Sequence, residues 1–219
     1  MTQWSTAEPL GYGRTYTLKG TDRDGTSFER TFTTVAPAAQ SSVYFALQEG
    51  AEVGVGQAIP IHFSYAPGDK EKAQEAIKVT TSNDTEGGFY WQSDNVAIWR
   101  PKDFWEPGTQ VTVTADIYGV DLGGGVYGAD KSEMSFTVGD EVLTTVDNAT
   151  KTLTVTRNGE VVRSFPVSLG RPGRWETPNG TYVVGDKNES MVMDSTTYGL
   201  SLDAGGYKTP VKYATQLSY

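Results

Sequence analysis

The strongest constraint on the fold is an internal repeat in which the order turn, strand, loop, strand occurs twice. The two copies span residues 8–35 and 106–138. Each begins with Glu-Pro, continues through a Thr-rich strand and a Gly-containing loop, and ends in a strand that contains Phe-Thr. Trp4 and Trp105 lie shortly before the two Glu-Pro pairs. Because a repeated supersecondary unit indicates a repeated domain, this pattern predicts two related β-domains.

The sequence in front of each copy predicts the domain boundaries. The second copy is preceded by strand-rich sequence, so we predict a complete Ig-like β-sandwich at 41–139. The first copy has no such sequence in front of it, and we interpret 1–36 as the C-terminal part of a first Ig-like domain. A three-strand remnant of that size buries too little apolar surface to be stable alone. The Ala/Pro-rich stretch 36–39 is the expected linker.

The local patterns predict an all-β fold with one short helix. The 25 glycines and 10 prolines, together with abundant Thr, Val and Tyr, favour strands and turns. A period of two, typical of a half-buried strand, involves Val53, Val55, Ile59, Ile61, Phe63 and Tyr65. Ala73, Ala76 and Ile77 follow at helical spacing behind Asp69, which predicts a helix at about 69–77 with Asp69 as its cap.

A different pattern begins near residue 140. Two Val/Thr-rich runs at 152–156 and 161–167 flank Asn158-Gly159, and Asn-Gly supplies the two positive-φ positions of a type I′ turn. The pattern therefore predicts a β-hairpin. A second turn is expected at Thr177-Pro-Asn-Gly180, before a strand that contains Tyr182.

Composition excludes several kinds of site. The chain has no cysteine, which rules out disulfides, thiolate metal sites and a cysteine nucleophile within these residues. A single histidine, His62, argues against a His-rich metal cluster and a serine triad. The net charge of −9 argues against nucleic acid as a partner. We find neither an N-terminal signal-peptide pattern nor an apolar run of membrane-spanning length.

The run VDNATKTLTVTRNGEVVRSFPVSLGRPGRWETPNGTYVV at 146–184 resembles the opening of the L,D-transpeptidase (YkuD-type) catalytic domain. The resemblance continues through MVMDSTTYGL at 191–200 and GGYKTPVKYATQLSY at 205–219, which are similar to the actinobacterial members of the family. Those members place Ig-like domains before the catalytic domain. The resemblance implies that 140–219 is the N-terminal part of such a catalytic domain. The family nucleophile lies in a Ser-His-Gly-Cys motif that is expected after Tyr219, so no catalytic residue is assigned within this chain.

The chemistry that the resemblance implies is acyl transfer. A cysteine thiolate attacks the third residue of a peptidoglycan stem tetrapeptide, releases D-Ala and forms a thioester; an amine of a second stem then takes the acyl group, which gives a 3→3 crosslink. No cofactor is implied. Carbapenems react with the same thiolate. By resemblance, Met193, Tyr198 and Tyr207 belong to a substrate-binding flap that lines the donor pocket. The implied location is extracytoplasmic, in the cell envelope.

Several residues have simpler interpretations beside a functional one. We expect His62 to be an exposed strand residue without a function. Trp91, Trp99 and Trp105 are expected in the core, the alternative being a glycan-stacking surface. The Asp121–Gly125 stretch predicts a hairpin loop rather than a calcium site. Asp194 and Ser195 predict a turn rather than an acid or a nucleophile. Without the resemblance, Met193, Tyr198 and Tyr207 are core or loop residues.

Two classes of function remain open: a part of a crosslinking enzyme, and a non-catalytic Ig-like surface module for spacing or adhesion. The first predicts that 1–36 and 140–219 leave strand edges and apolar faces open, including Phe165, Val167, Tyr182 and Val184. We expect either a further segment of the parent protein or a second copy of the chain to cover them.

Overall fold

The computed structural model describes residues 5–171, 173 and 175–218. The elements up to residue 138 are six strands, one helix and six further strands. They are β1 (Thr15–Thr21), β2 (Ser27–Thr33), β3 (Ala39–Ser41), β4 (Val43–Phe45), β5 (Ala51–Val53), β6 (Ile59–Phe63), α1 (Lys70–Glu75), β7 (Ile77–Thr81), β8 (Gly87–Trp91), β9 (Val96–Pro101), β10 (Gln110–Asp116), β11 (Val126–Gly128) and β12 (Lys131–Val138).

The remaining elements are strands and two short 3₁₀ helices. They are β13 (Val142–Asp147), β14 (Thr152–Arg157), β15 (Glu160–Pro166), β16 (Gly170–Arg171), β17 (Trp175–Glu176), β18 (Val183–Asp194), η1 (Ser195–Tyr198), η2 (Leu202–Ala204) and β19 (Lys208–Ser218). The predicted all-β fold class is thereby confirmed. No helix in the described part of the chain is long and apolar enough to cross a membrane.

Both copies of the sequence repeat form antiparallel strand pairs. β1 pairs with β2 and places Tyr16 opposite Phe32, while β10 pairs with β12 and places Val111 opposite Phe136. The apolar residues of β10 and β12 are buried, whereas Phe32 is 41% exposed. The repeat therefore specified strand pairing in both places, but only the second pair lies in a packed core.

The core belongs to a sandwich of two four-stranded sheets. Their strand orders are β5-β12-β10-β7 and β4-β6-β9-β8. Inward-facing residues of both sheets form one buried cluster, whose largest fully buried members are Trp105, Phe63, Ile59, Ile61, Ile117 and Leu122. This apolar burial provides the main favourable free energy of folding for the region. The boundaries at 36, 41 and 139 stay a prediction.

The short helix forms where its cap predicts it. The Oδ1 of Asp69 accepts a hydrogen bond from the backbone N–H of Lys72 at 3.1 Å, which satisfies a first-turn donor of α1. Ala73 on the inner side of the helix is fully buried. The helix thereby passes between the two sheets, from β6 to β7, while its charged side remains in solvent.

The alternating run at 53–65 differs from the single strand that its period suggests. It divides at a turn in which the N–H of Gln57 bonds to the carbonyl of Gly54, so that β5 and β6 belong to opposite sheets. Within β6, Ile59, Ile61 and Phe63 are buried as predicted. Tyr65 lies beyond the end of β6 and is 58% exposed, so its expected place in the buried pattern is wrong.

The tryptophans confirm the core interpretation. Trp99 and Trp105 are buried, and Trp91 is half-buried against Phe63, with ring centroids 5.6 Å apart. The predicted orientation of His62 away from the core is also confirmed. The imidazole is half-buried rather than exposed, however, because it stacks on Tyr44 at 4.7 Å.

A tyrosine clasp joins the segment before β1 to the loop around β11. The hydroxyl of Tyr12 donates to the carbonyl of Gly128 at 2.6 Å and accepts from the N–H of Gly119 at 2.8 Å. Tyr118 donates to the carbonyl of Leu10 at 2.9 Å, and its ring lies 5.2 Å from that of Tyr12. Burial raises the pKa of Tyr12 above its ordinary value.

The chain divides into two compact units, Met1–Thr145 with Thr154–Arg163, and Val146–Leu153 with Ser164–Tyr219. The predicted hairpin at Asn158-Gly159 is confirmed: φ is +50° at Asn158 and +81° at Gly159, between β14 and β15. The expected apolar exposure near the end of the chain is found at Phe165 (41%) and Val184 (57%). Val167 and Tyr182 are half-buried.

Candidate functional site

The candidate site is the tip of a long hairpin in the second unit. β18 and β19 pair antiparallel from Val183 to Asp194, with an irregularity between Val184 and Lys187, and the last pair of the ladder is Asp194 with Lys208. Residues 195–207 then form the hairpin tip, which contains η1 and η2. The ladder holds the tip at a defined place, because its two ends are fixed by backbone hydrogen bonds.

Asp194 closes the base of the tip. Its Oδ1 accepts from the backbone N–H of Thr196 at 3.0 Å and from the hydroxyl of the same residue at 2.6 Å. Its Oδ2 lies 3.0 Å from the Nζ of Lys208. The hydrogen bond from the Thr196 hydroxyl, followed by that from Lys208, lowers the pKa of the Asp194 carboxyl to about 2. A carboxylate that is so stabilised is a weak base, which confirms the turn interpretation of Asp194.

Ser195 is the one buried residue in the second unit among those whose burial the structure describes. Its hydroxyl donates to the carbonyl of Leu200 at 2.9 Å and accepts from the N–H of Tyr207 at 2.8 Å. A hydroxyl that is satisfied in this way is held in place and is not available as a nucleophile. Ser195 is therefore part of the turn, as the sequence indicated.

The two tyrosines that the sequence assigned to a flap meet at the tip. The hydroxyl oxygens of Tyr198 and Tyr207 are 2.5 Å apart, and their side chains are 50% and 39% exposed. The hydrogen bond with Tyr207 raises the pKa of Tyr198 above its ordinary value. The Tyr198 hydroxyl donates to the Tyr207 hydroxyl, and the Tyr207 hydroxyl keeps its own O–H group as a donor.

Met193 lies in the strand below this pair. It is opposite Thr209 in the ladder, directly before Asp194, and its side chain is 42% exposed. The three predicted flap residues thus belong to one hairpin, with the tyrosine pair at its tip and the thioether at its base. Their role toward a ligand stays a prediction.

The sequence did not predict two features of the tip, namely the burial of Ser195 and the ion pair between Asp194 and Lys208. A local signal for the first turn was present, since Asp followed two residues later by Thr is typical of an Asx-type cap. The pairing with Lys208 depends on the register of strands that are 14 residues apart in the sequence. No short-range pattern encodes that register.

Other candidate groups do not form a site. Asp121 accepts a hydrogen bond from the N–H of Gly123 at 2.9 Å and so closes the glycine turn before β11. Across the described ranges, no group of three or more His, Cys, Asp or Glu side chains is arranged to hold a metal ion. The hairpin tip therefore remains the strongest candidate.

Two family models match the chain. A bacterial Ig domain matches residues 1–121, and the L,D-transpeptidase catalytic domain matches residues 141–216. The second match includes the whole hairpin tip at 195–207. The order of the two matches agrees with the order that the sequence predicted.

Curated relatives support the same assignment. L,D-transpeptidase 2 of Mycobacterium tuberculosis (strain CDC 1551 / Oshkosh) is 45% identical over 221 residues, which cover 99% of this chain and 54% of the relative. L,D-transpeptidase 1 of M. tuberculosis (strain ATCC 25618 / H37Rv) is 33% identical over 171 residues, which cover 78% of this chain and 62% of the relative. The chain spans about half to three fifths of the length of these two relatives.

Solved structures share the fold. An L,D-transpeptidase in complex with imipenem has a TM-score of 0.67 at 31% identity, covering 84% of this chain and 78% of its own. An L,D-transpeptidase from Mycobacterium smegmatis has a TM-score of 0.66 at 31% identity, with coverages of 82% and 76%. The chain therefore belongs to the L,D-transpeptidase family, with a bacterial Ig domain followed by sequence of the L,D-transpeptidase catalytic domain.

Proposed function

We propose that this chain forms the Ig-like spacer and the substrate flap of an enzyme that makes 3→3 crosslinks in peptidoglycan. The observation that carries the proposal is the Tyr198–Tyr207 hydroxyl pair, held at the tip of a hairpin within the stretch that matches the catalytic domain. The flap contacts the donor stem peptide through Met193, Tyr198 and Tyr207. Residues 1–219 contain no cysteine, so the thiolate comes from sequence outside them.

The proposed reaction is a two-step acyl transfer. The thiolate attacks the carbonyl carbon of the third residue of the donor tetrapeptide, the amide bond to D-Ala breaks, and D-Ala leaves with a proton as the thioester forms. A side-chain amine of a second stem then attacks the thioester carbonyl, the C–S bond breaks, and the thiolate is released as the nitrogen loses a proton and the new amide forms. The flap contributes by holding the donor in a reactive orientation, which lowers the entropic part of the barrier.

The half-exposed tyrosine pair suits a peptide donor. Its hydroxyl groups can donate to a carboxylate or a carbonyl oxygen and accept from an amide N–H, all of which a stem peptide offers. The exposed thioether of Met193 adds an adaptable apolar contact below the pair. We place the working enzyme in the cell envelope.

The test is to read the gene past the codon for Tyr219, and to express residues 1–219 beside the extended polypeptide. Both are incubated with a carbapenem and then with a stem tetrapeptide, and intact masses are measured. We expect residues 1–219 to gain no mass, and the extended polypeptide to contain a Ser-His-Gly-Cys motif and to gain the mass of the drug. An adduct on residues 1–219 would show that another nucleophile acts. A natural stop after Tyr219 would favour a non-catalytic Ig-like spacer or adhesion module.

A second chain is a further proposed partner. The side chains of Phe165 and Val184 are exposed, and β15 is an edge strand of its sheet in the described part of the chain. Such edges favour pairing with other strands. Either a further segment of the parent protein or a second copy of the chain covers them. Sedimentation of residues 1–219 distinguishes the two, since a copy-mediated contact makes the mass depend on protein concentration.

A further inference from the structure

Ser195 occupies an exceptional place in the hairpin. Its side chain is fully buried, while every other residue of the second unit with a described burial is half-buried or exposed. Polar side chains are buried where all their hydrogen-bonding capacity is used, because an unsatisfied buried group costs free energy. The burial of a serine in so open a structure therefore points to a specific task.

Ser195 makes four hydrogen bonds within the hairpin tip. The N–H of Ser195 donates to the carbonyl of Tyr207 at 2.9 Å, and the N–H of Tyr207 donates to the hydroxyl of Ser195 at 2.8 Å. The N–H of Leu200 donates to the carbonyl of Ser195 at 3.0 Å, and the Ser195 hydroxyl donates to the carbonyl of Leu200 at 2.9 Å. One residue thus bonds reciprocally to both sides of the tip.

The hydroxyl takes the place of a backbone carbonyl. In a regular antiparallel ladder, the N–H of Tyr207 would bond to the carbonyl of Ser195 as the next step after the pair of Asp194 and Lys208. Here it bonds to the side chain instead, which leaves the carbonyl of Ser195 free to accept from Leu200. Tyr207 therefore keeps both of the backbone hydrogen bonds that a further residue of β19 would make. The chain after β18, by contrast, already turns into η1 at Ser195.

The close packing around Ser195 requires glycine at position 206. A Cβ at Gly206 would lie 2.4 Å from the hydroxyl oxygen of Ser195 and 2.6 Å from the carbonyl oxygens of Leu200 and Ser201. Such distances are far shorter than non-bonded contact, so only glycine fits. The backbone directly before Tyr207 thus packs against the hydroxyl that receives the N–H of that residue.

The two tyrosines depend on the same serine. Tyr207 is bonded to Ser195 through both of its backbone polar groups, and Tyr198 ends the η1 turn that begins at Ser195. We propose that Ser195 is a positioning residue whose buried hydroxyl sets the backbone of Tyr207, and thereby the contact between the Tyr198 and Tyr207 hydroxyls that receives the donor peptide. The last part of this inference rests on the proposed function; the positioning itself does not.

The first experiment uses residues 1–219 without a ligand. Ring-labelled tyrosine is observed by NMR as pH rises, and Tyr198→Phe identifies the Tyr198 signal. The pKa of Tyr198 in the wild type is expected to lie above that of an ordinary tyrosine, because its hydroxyl donates to Tyr207, is partly desolvated, and lies near the carboxylate of Asp194. Tyr207→Phe removes the partner hydroxyl and gives the titration midpoint of Tyr198 without this hydrogen bond.

The decisive variant is Ser195→Ala, with Ser190→Ala on exposed β18 as the matched control. We expect Ser195→Ala to shift the titration midpoint of Tyr198 most of the way to the midpoint that Tyr198 has in Tyr207→Phe. Ser190→Ala should leave the midpoint of Tyr198 unchanged. Gly206→Ala, which keeps the hydroxyl but displaces it, is expected to act like Ser195→Ala. A Tyr198 titration that stays at the wild-type value in Ser195→Ala, with the β18–β19 amides still protected from exchange, overturns the proposal. Loss of protection along the whole ladder also overturns it, since the role of Ser195 would then be structural only.

The second experiment uses the extended polypeptide that carries the thiolate. We expect Ser195→Ala to lower the rate constant of acylation by the stem tetrapeptide on the order of 10- to 100-fold, mainly in kcat, because a misplaced flap binds the donor but orients it poorly. An unchanged kcat in Ser195→Ala overturns the last part of the inference, namely that the tyrosine contact set by Ser195 receives the donor peptide. If the Tyr198 titration responds as expected but no polypeptide is acylated, the positioning stands and the proposed function fails.

Discussion

The indole rings of Trp99 and Trp105 stack with their centroids 5.4 Å apart and their planes 28° from parallel. Trp99 comes from β9 of one sheet, and Trp105 follows it on the way to β10 of the other. The Nε1 of Trp105 donates to the carbonyl of Gln57 at 2.7 Å, so its one polar atom is satisfied inside the core. This pair therefore joins the two sheets of the sandwich at the point where the chain passes between them.

Replacing Trp105 by Ala is expected to destabilise the sandwich by about 3–5 kcal/mol, because it removes a fully buried indole and leaves a cavity. The neighbouring Phe104 is 52% exposed, and Phe104→Ala should cost less than about 1 kcal/mol. Urea unfolding followed by far-ultraviolet circular dichroism compares the two variants. Equal losses of stability would contradict the role assigned to the pair.

The positive φ at Gly159 predicts that a Gly→Ala change costs more stability at this turn than at a glycine with negative φ. Gly159 has φ of +81°, so Gly159→Ala is expected to destabilise the β14–β15 hairpin by about 1–2 kcal/mol. Gly54 also has open space around its Cα but no positive φ, and Gly54→Ala is expected to be nearly neutral. Native-state hydrogen exchange of the β14 and β15 amides measures the difference. A neutral Gly159→Ala would mean that the turn relaxes to another type.

The depressed pKa of Asp194 predicts a pH dependence at low pH. Because its folded pKa is about 2, below the ordinary aspartate value, the ionised form stabilises the tip above about pH 4, and this stabilisation is lost as pH falls toward 2. Thr196→Val and Lys208→Met should both raise the midpoint, Thr196→Val by more. The carboxyl-carbon chemical shift of Asp194 reports the midpoint, with Thr209→Val as the control that should leave it unchanged. An unmoved midpoint in Thr196→Val would contradict the assigned cause.

The hydrogen bonds of the Tyr12 hydroxyl in the tyrosine clasp predict that removing this hydroxyl lowers the stability of the first unit. Tyr12→Phe leaves the carbonyl of Gly128 and the N–H of Gly119 without this partner, and is expected to destabilise the first unit by about 1–3 kcal/mol. Tyr65→Phe, on a side chain that is 58% exposed, is the matched control and should be nearly neutral. Thermal unfolding of the two variants makes the comparison. If both melt with the wild type, the clasp contributes nothing to stability.

Features that depend on residues close together in the chain could be predicted from local sequence patterns. Asn158-Gly159 specified its turn because those two residues tolerate positive φ, and Asp69 specified the start of α1 because its side chain reaches an N–H three residues on. The two copies of the repeat specified strand pairing, since their alternation and loops are local. The family resemblance also followed from the order of short motifs.

Features that join residues far apart in the chain became visible only in the folded protein. The alternation at 53–65 is the same whether the chain forms one strand or two, and it is the turn at Gly54 that places β5 and β6 in opposite sheets. The burial of Ser195 and the meeting of Tyr198 with Tyr207 depend on the β18–β19 register. A register is set by the sum of many cross-strand contacts, so no single residue in the sequence predicts it.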